Sequence, residues 1–130
     1  MQSKLSLFPR LKRIRLTGGP TLICLPDPSS STVSMQIWLP AGSSSEKKRE
    51  HGLAHFLEHM AFKGTHTRDV RQLAIELDDL GASSNAFTSK EGTCYYTSGA
   101  AEDIFRFNEL ISDMAINMAL PADELERERG

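Results

Sequence analysis

Two histidines and a glutamate, His55, Glu58 and His59, stand in the order His-x-x-Glu-His within the stretch from Gly52 to Thr65. On an α-helix each residue advances about 100°, so histidines four apart share one face and the glutamate falls within roughly the same arc. Zinc binds neutral imidazole nitrogens, and a catalytic zinc is held by three protein groups with a fourth position left for water. His55 and His59 supply two such nitrogens. A carboxylate beside that water, and not itself a ligand, is suited to take its proton, which makes Glu58 the candidate general base.

The order inverts His-Glu-x-x-His, and the inverted form is itself a zinc-peptidase signature. His51 shares the face but lies about 12 Å along the axis from His59, too far to hold the same ion, and reads as structural or supporting. His66, beyond Gly64, reads as loop. Leu53, Phe56, Leu57 and Met60 cluster towards the opposite side of the helix, a stripe that anchors it in a core while the polar group faces a cleft.

The elements that must position this helix follow from periodicity. Leu11 to Leu16 and Thr21 to Leu25 are β-prone runs joined by Thr17-Gly18-Gly19-Pro20, a hairpin pattern. Val33, Met35, Ile37 and Leu39 alternate with Thr32, Ser34, Gln36 and Trp38, the clearest strand in the chain. Pro40 and the loop Ala41 to Ser45 end it, with Ser45 the expected N-cap of the histidine helix. A second helix is expected from Val70 to Leu80, stopped by Gly81. Ala86 to Thr88 and Thr93 to Thr97 form a second hairpin around Ser89-Lys90-Glu91-Gly92. A third helix buries Ile104, Phe107, Ile111, Met114, Ala115 and Met118, with Glu102 and Asp103 near its positive end. Pro121 is placed to start a fourth. The order describes an α+β fold, helices packed on a mainly antiparallel sheet.

Composition bounds the function. The 130 residues carry a formal charge of −2 and no basic stripe with interleaved aromatics, which excludes nucleic acid as an expected partner. No apolar run approaches the 18 or so residues needed to cross a bilayer, so no membrane partner is expected. Cys24 and Cys94 are isolated and suit a reduced compartment, each as a structural thiol. Lys4, Arg10, Lys12, Arg13 and Arg15 precede the first acid, Asp27, a bias that imitates an organelle transit peptide. The strand-like alternation there favours mature structure. A cytoplasmic protein of bacterial type is expected, with the mitochondrial matrix as the alternative.

Four stretches together resemble the pitrilysin family of inverted-motif zinc metallopeptidases, in its processing-peptidase branch: Ala41-Gly42-Ser43, Gly52 to Thr65, Gly81 to Tyr96 with Asn85-Ala86-Phe87-Thr88-Ser89-Lys90-Glu91, and Glu126-Arg127-Glu128-Arg129. The resemblance implies that His55 and His59 bind zinc and that Glu58 is the base. It also implies that Asn85 and Ala86 belong to an edge strand pairing with an extended peptide or unfolded protein substrate, an edge being suited to backbone recognition. Glu128 matches an accessory glutamate that orients the ligands from behind. The family's third ligand, a glutamate, would fall roughly five residues past Gly130. Residues 1–130 are accordingly expected to be a single incomplete N-terminal catalytic domain, weak in zinc binding and inactive alone. The rest of that domain and a second domain or partner subunit that closes the site would lie elsewhere. Two other readings stay open: a non-catalytic scaffold or interaction subunit of the same fold, and a small zinc hydrolase or lyase in which Cys94 is a ligand.

Overall fold

The computed structural model describes residues 10–129, so Lys4 of the basic segment lies outside them. The chain separates into two compact units, Met1–Ser31 and Thr32–Gly130. In the first, β1 (Lys12–Arg15) pairs antiparallel with β2 (Thr21–Cys24), Ile14 opposite Leu22. Leu16 N–H donates to Pro20 O across the turn. The expected hairpin is present, its apolar side chains exposed.

The second unit is α+β. Its sheet runs β3 (Thr32–Leu39), β5 (Thr93–Ala100), β4 (Ser83–Thr88), each neighbouring pair antiparallel. Alternation decides which face is covered: Val33, Met35, Ile37 and Leu39 are half-buried, while Thr32, Ser34, Gln36 and Trp38 are exposed. Register carries that face across the sheet, with Ile37 opposite Tyr95 and Tyr95 opposite Ala86. Against it pack α2 (Val70–Asp79) and α3 (Ile104–Ile116), whose Leu73, Phe107, Leu110, Ile111 and Met114 join Tyr95 and Ala86 in one core. Burying each of the larger apolar side chains contributes about 1.5–3 kcal/mol. The layer of helices on an antiparallel sheet is as expected from sequence.

Several local expectations are corrected. Ser45 does not cap the histidine helix; Ser43–Ser45 is a separate 3-10 turn, and α1 (Leu53–Met60) begins after Gly52. Gly52 adopts φ 89°, a left-handed turn open to glycine at little cost. The cap comes from Glu46, whose carboxylate oxygens accept the Gly52 N–H at 2.9 Å and the Ala54 N–H at 2.8 Å. These bonds hold the Glu46 carboxyl below its usual range. A carboxylate near the first turn satisfies free N–H groups and complements the helix dipole. Gly42 serves close approach: a Cβ there would stand 2.5 Å from Ser89 O, so the loop after β3 can lie against the β4–β5 turn.

On α1 the apolar stripe holds at Met60, fully buried, but Leu53 at the first turn is 45% exposed. β4 begins at Ser83, earlier than expected, so Asn85 lies within the strand. α3 ends at Ile116, and Met118 instead forms a strand-like bridge with Thr65. The helix also buries Leu110 and Asp113, which the expected face omitted, while Ile104 is 40% exposed. α4 (Ala122–Arg129) follows Pro121, which lies outside it as the acceptor of the first helical bond, from Leu125 N–H. Leu120, at φ 50°, turns the chain from the bridge into that helix.

Candidate metal centre

α1 is held at both ends, and its polar face is thereby set. Glu46 caps its start, and its last turn runs into a loop whose Gly64 and His66 bond Ala119 and Asn117 beyond α3. His55 and His59, one turn apart, both point outward and are exposed. Their Nε2 atoms face each other at 3.2 Å. Glu58 is buried, at 9% exposure. One candidate ligand atom from each of the three residues lies within 4.8 Å of the others, and no other such cluster occurs among the described residues.

The partners of these groups divide them by role. Glu58 Oε2 accepts the Thr88 Oγ1 hydrogen at 2.6 Å, so β4 pins the carboxylate. Thr88 was not singled out by sequence reasoning; only its place on the same face of β4 as Ala86 hints at it. Thr93, opposite Thr88, spends its own hydroxyl hydrogen on Ala41 O at 2.9 Å. Burial, together with the Glu58 charge, pushes the neighbouring Tyr95 phenol up to about 12.

His59 is supported from behind. Its Nδ1 lies 3.0 Å from Glu128 Oε2 on α4, although the two residues are far apart in sequence. Hydrogen bonds from Lys63 and His59, with the Lys63 charge beside them, hold the Glu128 carboxyl below the usual carboxylate range. An ionised carboxylate only accepts, so Nδ1 carries the ring hydrogen and Nε2 presents its lone pair towards His55.

The donor set fits zinc. Two nitrogens each about 2.0–2.1 Å from one tetrahedral zinc stand about 3.3 Å apart, close to the spacing of the two imidazoles. The chemistry also fits: two imidazoles, one backed by a carboxylate.

The other expected residues fall as follows. His51 is largely exposed and lies 3.8 Å from Glu46 Oε2, outside the cluster. His66 is in the loop after α1. Asn85 and Ala86 lie on β4, which has a neighbour on one side only among the described residues. The Ala86 N–H donates to the Asn85 side-chain oxygen at 2.8 Å. Cys94 is buried in the middle strand and is not a member of the cluster, and burial raises its thiol pKa. No helix among the described residues is long and apolar enough to cross a membrane.

Comparison with known proteins gives concordant matches. The family described as insulinase (peptidase family M16) matches residues 22–130. The chain is 44% identical over 104 residues to the mitochondrial-processing peptidase subunit beta of Homo sapiens, covering 80% of this chain and 21% of that protein. It is 36% identical over 124 residues to the subunit beta of Saccharomyces cerevisiae, 95% of this chain and 27% of that one. A solved structure described as a protease from Helicobacter pylori superposes with a TM-score of 0.87 at 25% identity, covering 94% of this chain and 30% of the other. The chain thus spans about a quarter or less of the length of these curated relatives.

Proposed function

We propose, because this chain belongs to the insulinase (M16) family of peptidases, that it carries the N-terminal, motif-bearing part of the catalytic domain of a zinc-dependent endopeptidase. The observation that supports this most directly is the pair of imidazole nitrogens aimed at each other at 3.2 Å, beside a carboxylate that a separate strand holds in place. His55 and His59 would hold the ion, with Glu128 fixing the second ring. Bound there, zinc would supply Lewis acidity to the scissile carbonyl and acidify water.

The chain's own groups would do the rest. Glu58 takes the proton of the attacking water and later delivers it to the leaving amine nitrogen. Thr88 occupies one oxygen of that carboxylate and leaves the other for the proton. The substrate is proposed to be an extended peptide or unfolded protein segment lying along β4. There its backbone would pair with the edge of β4 that has no neighbour among the described residues, and a strand that used the Ala86 N–H would displace the Asn85 oxygen. The remaining part of the domain would add the third ligand. A second domain or partner subunit would enclose the peptide, as suits relatives named as one subunit of a processing peptidase. The same names favour a mitochondrial setting over the bacterial-type cytoplasm.

The deciding experiment is Glu58→Gln in a protein that includes the rest of the domain. Zinc content should stay unchanged while cleavage of an extended peptide falls by about 10²–10⁴-fold. Cleavage at the unaltered rate would reject Glu58 as the base. The 130-residue chain alone should bind zinc weakly and cleave nothing.

A further inference from the structure

We propose that Lys63 is a positioning residue for the metal centre: it holds Glu128 so that the His59 ring keeps one orientation and one tautomer. The inference rests on the proposed zinc reading, and it concerns a side chain just past α1 that takes no part in the chemistry itself.

Lys63 stands between two carboxylates. Its Nζ lies 2.9 Å from Glu128 Oε1 and 3.6 Å from Glu124 Oε2. Glu124 and Glu128 are four apart on α4 and so share a face, where like charges repel. Glu124 is buried, at 6% exposure, with its other oxygen accepting from Arg127. Lys63 is therefore the cation that lets the two acids stand side by side against the end of α1.

The two oxygens of Glu128 are divided between two tasks. Oε1 faces Lys63 and Oε2 faces His59 Nδ1 at 3.0 Å. A carboxylate engaged by an ammonium has no hydrogen to give, so the ring must donate from Nδ1. That leaves the Nε2 lone pair on the side of His55, where a metal needs it. Without Lys63, repulsion from Glu124 turns Glu128 away. His59 then loses its acceptor and is free to rotate or to move its hydrogen to Nε2.

Long-range 1H–15N NMR on the metal-free full chain reads the His59 tautomer directly, and chelator competition reads zinc affinity. Unaltered protein should show the Nδ1–H form. Lys63→Met should shift His59 towards Nε2–H and weaken zinc binding about 10-fold, the size of effect seen when a ligand loses its supporting carboxylate. Lys63→Arg, which keeps a charge for both acids, should restore the Nδ1–H form. A Lys63→Met protein with unchanged tautomer and unchanged zinc affinity overturns the inference, as does an Nε2–H His59 in the unaltered protein. Where the methionine variant does not fold, Lys63→Gln takes its place with the same readings. Unaltered protein that binds no zinc at all overturns the proposed function instead, and the tautomer comparison still decides the role of Lys63.

Discussion

Two polar clusters, one on the face of α1 and one centred in the loop that follows it, are built on opposite plans. Around Arg68, all three guanidinium nitrogens are engaged. Its guanidinium meets Glu76 at 2.9 Å, Glu109 at 2.5 Å and Asp113 at 2.7 Å, with the Arg68 side chain only 12% exposed. Asp113 also accepts from Thr65 at 2.6 Å, Thr67 at 2.8 Å and Asn117 at 2.9 Å. Around His55 and His59 the rings are exposed, and their Nε2 atoms face each other beside Glu58. The first cluster ties the loop to α2 and α3; the second is braced from behind and left open in front. Buried charge with all its partners in place is architecture, whereas donors converging on one accessible point are arranged for something that arrives from solvent.

The comparison is tested hardest by removing the hub of the closed cluster. Asp113→Ala leaves Arg68, two threonine hydroxyls and an asparagine without their acceptor, and should cost about 3–5 kcal/mol in urea unfolding. The zinc affinity of the folded fraction should not change. The same carboxyl gives the cluster a pH signature. Burial acts to raise its pKa, but hydrogen bonds from Thr65, Asn117, Thr67 and Arg68 outweigh that and hold it well below the carboxylate range. A depressed folded-state pKa contributes stability that is complete above the unfolded value of about 3.9 and is lost as pH falls below it. Acid titration of folding should therefore show a decline beginning near pH 4 that Asp113→Asn flattens.

In the open cluster the pattern should reverse. His55→Ala removes an exposed ring whose polar partner among the described residues is His59, so metal-free stability should move by no more than about 0.5 kcal/mol. Zinc affinity should fall by about 100-fold or more, as measured by competition. A stability loss as large as that of Asp113→Ala would mean that the histidines are structural too.

The smallest effect sits where the two plans meet. Thr88→Val deprives the buried Glu58 of its donor and should cost about 1–2 kcal/mol, with zinc affinity unchanged and recovery in Thr88→Ser. If valine is neutral, Glu58 is held by something other than β4.

Much of the framework was legible locally. Alternation along Thr32 to Leu39 and the apolar spacing in α2 and α3 are short-range signals, because a strand repeats every two residues and a helix every 3.6. The same helical geometry placed His55 and His59 together before any fold was known. Boundaries were less legible. Asn85 has the chemistry of a turn residue yet lies in β4, since pairing with Tyr96 outweighs local preference. Met118 continues the apolar period of α3 but leaves the helix to bridge Thr65.

The amino-acid sequence by itself determined the helical face with its two imidazoles and carboxylate, because positions four apart on a helix need no other element to meet. Only the tertiary structure decided what supports that face. Glu46 reaches Ala54, Thr88 reaches Glu58, Lys63 reaches α4, and Arg68 reaches Asp113 across the loop. Periodicity is silent about such pairs, because it fixes a side chain's direction on its own element and leaves open which distant segment that direction will face.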